Sequence, residues 1–188
     1  IRLSLTIGNT ATVAEAVAEG IAEMGYVEGE VANSVLRVDP LVEDELMIVV
    51  GPDHPFAGKG DLTPQQLVGE TAWVLREPGS GTRSEFEQAL SEKGVDPAGL
   101  AVALELPSNE AVLSAARSGL CATAVSGHVA APHLATGDLV RVDIALPSRT
   151  FILLRHRDRD PGRAARKLAE FSISAATPDP RADLPAVR

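Results

Sequence analysis

Residues 72–84 join an apolar run to a helical pattern through a glycine-rich turn, and no other stretch constrains the fold as strongly. The apolar run at 73–75 is typical of a buried strand, which Pro78-Gly79 ends. A helical pattern begins near Glu85. Such a short connection from strand to helix is typical of α/β proteins, in which helices cover a sheet.

The turn itself is a candidate ligand site. It carries Gly79, Ser80, Gly81 and Thr82 at the predicted start of the helix. The first N–H groups of a helix have no partner within it, and together with the helix dipole and nearby hydroxyls they favour an anion or a carboxylate. Ser and Thr are also common helix caps, so the sequence leaves both roles open.

The rest of the chain alternates between strand and helix patterns, which predicts parallel sheets covered on both faces. Strands are expected at 1–7, 24–27, 36–41, 45–50, 101–106, 121–125, 139–144 and 149–155, with 1–7 burying one face and 45–50 deep in a sheet. Helices are expected after Thr10 and Thr63 as caps, at 85–93, after Ser108, at 129–134 and after Asp160-Pro161, with Ile21 and Phe171 facing inward. Residues 177–188 are expected to be disordered.

Composition excludes several classes of protein. The net charge of −9 over 188 residues argues against nucleic-acid contact by this segment, because phosphate binding needs clustered Lys and Arg. No apolar run approaches the roughly 20 residues that span a bilayer, and no signal peptide opens the chain. The single Cys121 is expected to be a small core residue, consistent with a reducing compartment. A cytoplasmic location is therefore predicted.

The sequence shows no catalytic or metal-binding constellation. The glycine turn lacks the endings of a P-loop, a dinucleotide site and a nucleophile elbow. The four histidines (His54, His128, His133 and His156) are scattered, so neither a metal nor a cofactor is expected. Glu28 and Glu30 form a possible pair of carboxylates, although solvated loop residues are the simpler interpretation. A binding domain is favoured over an enzyme.

Residues 76–83, Arg-Glu-Pro-Gly-Ser-Gly-Thr-Arg, closely resemble the turn found in effector-binding domains of LysR-type transcriptional regulators. Further segments resemble that domain in the same order along the chain: 5–10, 27–29, 40–41 with 46–50, 53–55, 108–112 and 119–122. The resemblance extends over about residues 1 to 173. Each motif alone is modest evidence, but their common order is specific.

The resemblance implies an α/β fold of two Rossmann-like lobes, of the type 2 periplasmic-binding-protein kind, with a small effector in the cleft between them. Lobe I would comprise residues 1–70 plus 149–175, and lobe II residues 71–148. The effector, a small carboxylate, sulfate or similar compound, would contact the glycine turn, Glu28 and the Ser126-Gly127 loop. The implied site residues are Gly79, Ser80, Gly81, Thr82, Glu28, Ser126 and Gly127.

The family also implies a winged helix-turn-helix and a linker helix before this domain, and neither is expected within this chain. The first strand and first helix of lobe I are expected to be missing as well. DNA would be contacted only through those absent regions. The implied assembly is a homodimer or tetramer with lobe I against lobe II, and the helix at 10–20 is a candidate interface. A free solute-binding protein of this fold, or an enzyme using Cys121 or Glu28, stays an alternative.

Overall fold

The computed structural model describes residues 3–60 and 62–176, and within them a seven-stranded mixed sheet is flanked by helices. The strands are β1 (Met24–Glu28), β2 (Leu36–Val50), β3 (Ala72–Arg76), β4 (Ala101–Leu106), β5 (Cys121–Ser126), β6 (Val140–Arg141) and β7 (Ser148–His156). The helices are α1 (Thr10–Glu19), α2 (Pro64–Gly69), α3 (Gly81–Glu92), α4 (Asn109–Ala116), α5 (Gly127–Thr136) and α6 (Arg163–Ala176). The strand order is β1-β7-β2-β5-β3-β4, with β6 also beside β2.

Strand β2 connects the two halves of this sheet. Its residues 36–45 pair antiparallel with β7, whereas residues 46–49 pair antiparallel with β5. The register against β7 shifts after Pro40, at a bulge. Two separate strands joined at Glu43-Asp44 were predicted here, and this is wrong. The bulge absorbs the change in direction, so a single strand continues through it.

Alternating residues at the end of β2 enter two different apolar clusters. Leu46 and Ile48 pack in a cluster with Trp73 of β3 and with α2 and α3, whereas Met47 and Val49 pack with α4 and α5. A third cluster joins α1, β1, β7 and the start of β2. The prediction that residues 45–50 lie deep in a sheet is therefore confirmed from Leu46 onward.

The sheet is less parallel than the alternating pattern predicts. Among the strands of the described residues, only β3 runs parallel to its neighbours β4 and β5, and the other pairs are antiparallel. The strand predicted at 139–144 is reduced to Val140–Arg141. Local sequence patterns carry no information about strand direction, which depends on the connections between strands.

The alternating segment at the N-terminus is not a strand. Residues 3–9 are irregular, and Leu3, Leu5 and Ile7 are 75%, 83% and 89% exposed. No strand within residues 3–60 and 62–176 pairs with this segment. An apolar face is buried only where a neighbouring strand and a covering layer meet it, and neither is present.

Some predictions about the helices are confirmed and others are wrong. The capping box of Thr63 and Gln66 is confirmed. Helix α1 is capped by Asn9 and not by Thr10, and it ends at Gly20, so the predicted inward-facing Ile21 lies outside it. Phe171 on α6 was also predicted to face inward, but it is 71% exposed. The predicted disordered tail at 177–188 lies outside the described residues.

None of the helices in the described ranges has the length and hydropathy that crossing a membrane requires.

Candidate functional site

Ser80 occupies the cap position of α3 without acting as a cap. Its backbone is extended, with φ −74° and ψ 127°, but its side chain makes no capping hydrogen bond. The residue is 2% exposed, and Oγ has no hydrogen-bond partner in the part of the chain that the structure describes. Buried hydroxyls are normally paired, so an unpaired one at a helix N-terminus is a candidate ligand contact.

The glycine turn packs directly against α1 and the end of β1. Thr10 Oγ1 accepts a hydrogen bond from Gly81 N at 3.2 Å and donates one to the carbonyl oxygen of Glu28 at 2.9 Å. Ala11 N donates to the carbonyl of Gly79 at 3.2 Å. A Cβ at position 81 would overlap the Glu28 carbonyl, so only glycine permits this close approach.

A second set of polar contacts joins the start of the same turn to α1. Asn9 Nδ2 donates to Glu77 Oε1 at 3.0 Å, and Arg76 Nε donates to Glu77 Oε2 at 2.9 Å. Burial of the Glu77 carboxyl opposes its ionisation, but the hydrogen bonds from Arg76 and Asn9 outweigh burial and lower its pKa. The turn is therefore held at both of its ends by charged or polar side chains.

A buried ionic cluster lies beside the turn, and Arg149 is its centre. Its Nε donates to Asp44 Oδ2 at 2.8 Å, Nη1 donates to Thr82 Oγ1 at 3.1 Å, and Nη2 donates to Glu28 Oε2 at 3.0 Å. The Arg149 and Asp44 side chains are 2% and 0% exposed, and that of Glu28 is 15% exposed. Ser126 Oγ donates to Asp44 Oδ1 at 2.7 Å. We call these five residues the Arg149 network.

The Arg149 network joins elements that are far apart in sequence. Asp44 and Arg149 are directly opposite each other on β2 and β7. Glu28 ends β1, Thr82 lies in the first turn of α3, and Ser126 ends β5. Thr82 Oγ1 also donates a short hydrogen bond to Glu28 Oε1. The network therefore holds β1, α3 and the end of β5 against β2 and β7.

Three of the seven predicted site residues, Glu28, Thr82 and Ser126, meet in this network. The interpretation of Glu28 as a solvated loop residue is wrong, because it ends a strand and pairs with Arg149. Gly127 packs on β2, where an added Cβ would lie 2.9 Å from Met47 Cε. Gly79, Ser80 and Gly81 remain in the turn, and their contact with an effector stays a prediction.

Asp44 and Arg149 were not predicted as site residues. The acidic run at 43–45 resembled a turn, and Arg149 resembled an ordinary strand start. One signal was available, because Asp44 precedes the apolar run at 46–50 and Arg149 precedes the apolar run at 151–154. A charge that is buried beside such a run requires a partner of opposite charge. Nothing local indicates that these two residues are each other's partner across 105 positions.

Two open cavities border the network and the turn. One, of about 480 Å³, is lined by Glu30, Glu85, Arg149 and Thr150 among others. The other, of about 530 Å³, lies along α1 and is lined by residues that include Thr10, Glu15, Glu30, Gly79 and Ser84. Both cavities share residues 30–32, so both are bordered by the Glu30 carboxylate that the sequence had indicated as one of a possible pair.

Glu85 shows the effect of these carboxylates. Burial raises the pKa of its carboxyl, and the negative charge of Glu30 raises it further, against the opposing effect of Arg149. A ligand that enters the first cavity therefore meets one guanidinium, that of Arg149, and two carboxylates, those of Glu30 and Glu85.

Comparison with known proteins places the chain in a family. A family model described as the LysR substrate binding domain matches residues 1–177, and the chain therefore belongs to that family. The chain is 32% identical over 178 residues to YeiE, an uncharacterized HTH-type transcriptional regulator of Escherichia coli strain K12, which covers 94% of this chain. The chain spans 59% of the length of YeiE. The resemblance drawn from the sequence is thus confirmed, and the domain is an effector-sensing one.

Solved structures confirm the fold. The regulatory domain of CcmR from Synechocystis PCC6803, in complex with 2-PG, superimposes with a TM-score of 0.81 at 24% identity, covering 93% of this chain and 83% of that one. The effector-binding domain of QuiR in complex with shikimate gives a TM-score of 0.77 at 16% identity, covering 90% and 78%. The predicted α/β fold of the type 2 periplasmic-binding-protein kind is confirmed.

The membership points to a regulatory domain, a class that is distinct from enzymes. Of the two residues considered for catalysis, Glu28 lies in the Arg149 network, whereas Cys121 begins β5, which Ser126 ends. At roughly 3.3 Å per residue, Cys121 lies about 16 Å along the strand from Ser126.

Within residues 3–60 and 62–176, no group of three or more His, Cys, Asp or Glu side chains is placed to hold a metal ion.

Proposed function

We propose that this chain senses a small acidic effector for a LysR-type transcription factor, and that the effector binds beside the glycine turn. The observation that carries the proposal is the buried Ser80 hydroxyl at the N-terminus of α3, which has no hydrogen-bond partner among residues 3–60 and 62–176. Gly79 and Ser84, on either side of it, line the cavity along α1. The structurally similar effector-binding domain of QuiR was solved in complex with shikimate, which is a carboxylate. This complex supports an acid as the effector class.

We also propose that the two lobes meet near Asp44 and Arg149, and not at residue 70 as the resemblance implied. The support is the packing of the apolar clusters. Leu46 and Leu67, both assigned to lobe I by that boundary, pack with Trp73 of β3. The separate cluster of α1, β1 and β7 ends before Asp44 along β2. On this division, the Arg149 network lies where β2 and β7 pass from one lobe to the other.

The proposed mechanism is a shift of population. An effector that binds better to one arrangement of the lobes increases the fraction of molecules in that arrangement. In the parent regulator, the shift would reach a DNA-binding region outside this chain. Because such a regulator must share a compartment with DNA, we propose that it acts in the cytoplasm. Which promoter it serves has no bearing on the site described here.

A thermal-shift titration tests the effector site. Shikimate, 2-PG and sulfate are added separately to the chain and to a Ser80→Ala variant. An effector at 100 times its dissociation constant is expected to add about 2.7 kcal/mol to the free energy of unfolding. Ser80→Ala is expected to weaken that binding at least tenfold, because the hydroxyl is lost from the site. Its own stability should change little, since Oγ makes no hydrogen bond in the described structure.

The matched control is Ser91→Ala, an exposed serine on the second half of the same helix. It is expected to bind every probe as the unaltered chain does. Equal weakening by both substitutions would contradict a site at the turn. Stabilisation by methylamine, added as a fourth probe, with no response to the three acids would contradict the proposed effector class while leaving the sensing function intact.

The assembly is proposed as a homodimer in which the edge strand β4 contacts lobe I of a second copy. Strand β4 ends the strand order, and residues 101–105 are all exposed, including Val102 at 38% and Leu104 at 48%. An apolar, unpaired edge is a template for pairing with another chain. The exposed apolar residues at 3–7 supply an irregular segment that could pair with this edge, and α1 begins three residues after it.

Leu104→Lys is expected to weaken this dimer at least tenfold, because it places a charge on the edge that would be covered. Sedimentation velocity over a concentration series measures the dissociation constant. Leu120→Lys, at a residue that is 76% exposed and outside the strands, is the control and should leave the dimer intact. Equal dissociation constants for the two variants would exclude β4 from the interface.

A further inference from the structure

We propose that Glu28 is a built-in ligand of the effector site, whose carboxylate occupies the place of the effector's own acid group and must leave when the effector binds. This inference rests on the proposed function and deepens it. We call the place that Glu28 fills the carboxylate pocket, defined by the Thr82 hydroxyl and the Arg149 guanidinium.

The contacts of Glu28 are those that a bound carboxylate would make. One oxygen accepts from Thr82 Oγ1, in the first turn of α3, and the other accepts from Arg149 Nη2 at 3.0 Å. Guanidinium groups and helix N-termini are the two recognition elements that proteins use most for carboxylates. Arg149 Nη1 also donates to Thr82 Oγ1 at 3.1 Å, so the pocket is itself ordered.

Of the two carboxylates on Arg149, only Glu28 is placed to exchange. Asp44 has a fully buried side chain and also accepts from Ser126, whereas the Glu28 side chain is 15% exposed. Arg149 lines the cavity of about 480 Å³, which also reaches Gly29, the residue after Glu28. A displaced Glu28 side chain therefore has open space in which water can hydrate its charge.

Charge balance at Arg149 favours replacement of the Glu28 carboxylate by an effector carboxylate over binding of the effector beside it. The network already places two carboxylates on one guanidinium, and Glu30 and Glu85 border the same cavity. A third carboxylate at Arg149 would add like charge in a poorly hydrated place, where repulsion is strong. Replacement of Glu28 by an effector's acid group keeps the charge at Arg149 unchanged. The inferred effector class is thus a planar acid, such as a carboxylate, that accepts two hydrogen bonds.

Acetate is the probe that tests this exchange, because it is a carboxylate group with little else. Its dissociation constant is measured by calorimetry for the unaltered chain and for Glu28→Ala, at constant ionic strength with chloride as the balancing anion. Glu28→Ala is expected to bind acetate at least tenfold more tightly, since its carboxylate pocket is vacant. Glu28→Gln keeps the side chain's shape without its charge, and it should bind with an intermediate affinity.

Two further variants separate the pocket from general electrostatics. Glu43→Ala removes one exposed charge beside Asp44 and should leave acetate binding as in the unaltered chain. Adding Thr82→Val to Glu28→Ala should abolish most of the gain, because the hydroxyl of the pocket is lost. Should Glu28→Ala be unstable, Glu28→Gln alone still tests the order of affinities.

The inference is overturned if Glu28→Ala and Glu28→Gln both bind acetate no better than the unaltered chain, or if Glu43→Ala gains as much. Neither result would affect the Ser80 titration, which uses other probes. Conversely, an effector screen with no response does not alter the acetate comparison, since acetate need not be the natural effector. The two proposals therefore fail separately.

Discussion

Replacing Arg149 by Met is expected to destabilise the domain by about 3–5 kcal/mol, the range for removing one partner of a buried ion pair. The guanidinium donates hydrogen bonds to Asp44, Glu28 and Thr82. Without it, the fully buried Asp44 carboxylate keeps only the hydrogen bond from Ser126 among the contacts of the network. The change is measured by urea unfolding of both chains under one buffer condition.

Arg141→Met is the matched control for this prediction. Arg141 also pairs with a β2 carboxylate, Glu45, which is the residue after Asp44. The side chains of Arg141 and Glu45 are 41% and 49% exposed. Loss of this ion pair should therefore cost no more than about 1 kcal/mol of unfolding free energy. Arg149→Lys, which keeps the charge but not the forked donors, should fall between the two. Equal losses for Arg149→Met and Arg141→Met would mean that burial does not strengthen the network.

Replacing Trp73 by Ala is expected to cost about 3–5 kcal/mol of unfolding free energy, through lost burial and a residual cavity. Trp73 is fully buried, and its ring centroid lies 4.8 Å from that of Phe86 on α3. Its Nε1 donates to the carbonyl of Leu67 at 2.8 Å, which would lose a buried partner. Because Trp73 is the chain's single Trp, unfolding of the variant is followed by circular dichroism and not by tryptophan fluorescence.

Phe171→Ala removes an aromatic ring that is 71% exposed, and it should change stability by less than about 0.5 kcal/mol. Trp73→Phe, which keeps most of the apolar volume, should cost less than Trp73→Ala. A loss below about 1 kcal/mol for Trp73→Ala would show that the neighbouring α2 and α3 collapse into the cavity, against the close packing usual in protein cores.

Elements with strong local signals were predictable from the sequence. The strand at 72–76 is apolar throughout its middle, and the turn after it carries two glycines within three residues. The capping box formed by the side chains of Thr63 and Gln66 marks the N-terminus of α2. In each case, the determining contacts join residues only a few positions apart, so the amino-acid order contains them.

The N-terminal segment shows the limit of such local patterns. Its alternation of Leu3, Leu5 and Ile7 is as clear as that of any strand in the chain, yet these residues are exposed and irregular. Alternation of apolar and polar residues predicts which side chains would share one face of a strand. Whether a strand forms depends on a neighbour that accepts its backbone hydrogen bonds, and that neighbour lies elsewhere in sequence or in another molecule.

The site divides in the same way. Amino-acid order alone predicts a glycine turn with hydroxyls at the start of a helix, and thus which residues form the turn. The partners of that turn follow from the three-dimensional packing, in which Thr82 meets Glu28 and Arg149 and Ser80 Oγ has no partner in the described part of the chain. Glu28 and Arg149 are 121 positions apart, and each alone resembles an ordinary strand end. Charges of this kind find their partners through the pairing of β2 with β7 and through burial, and neither is encoded within any short segment.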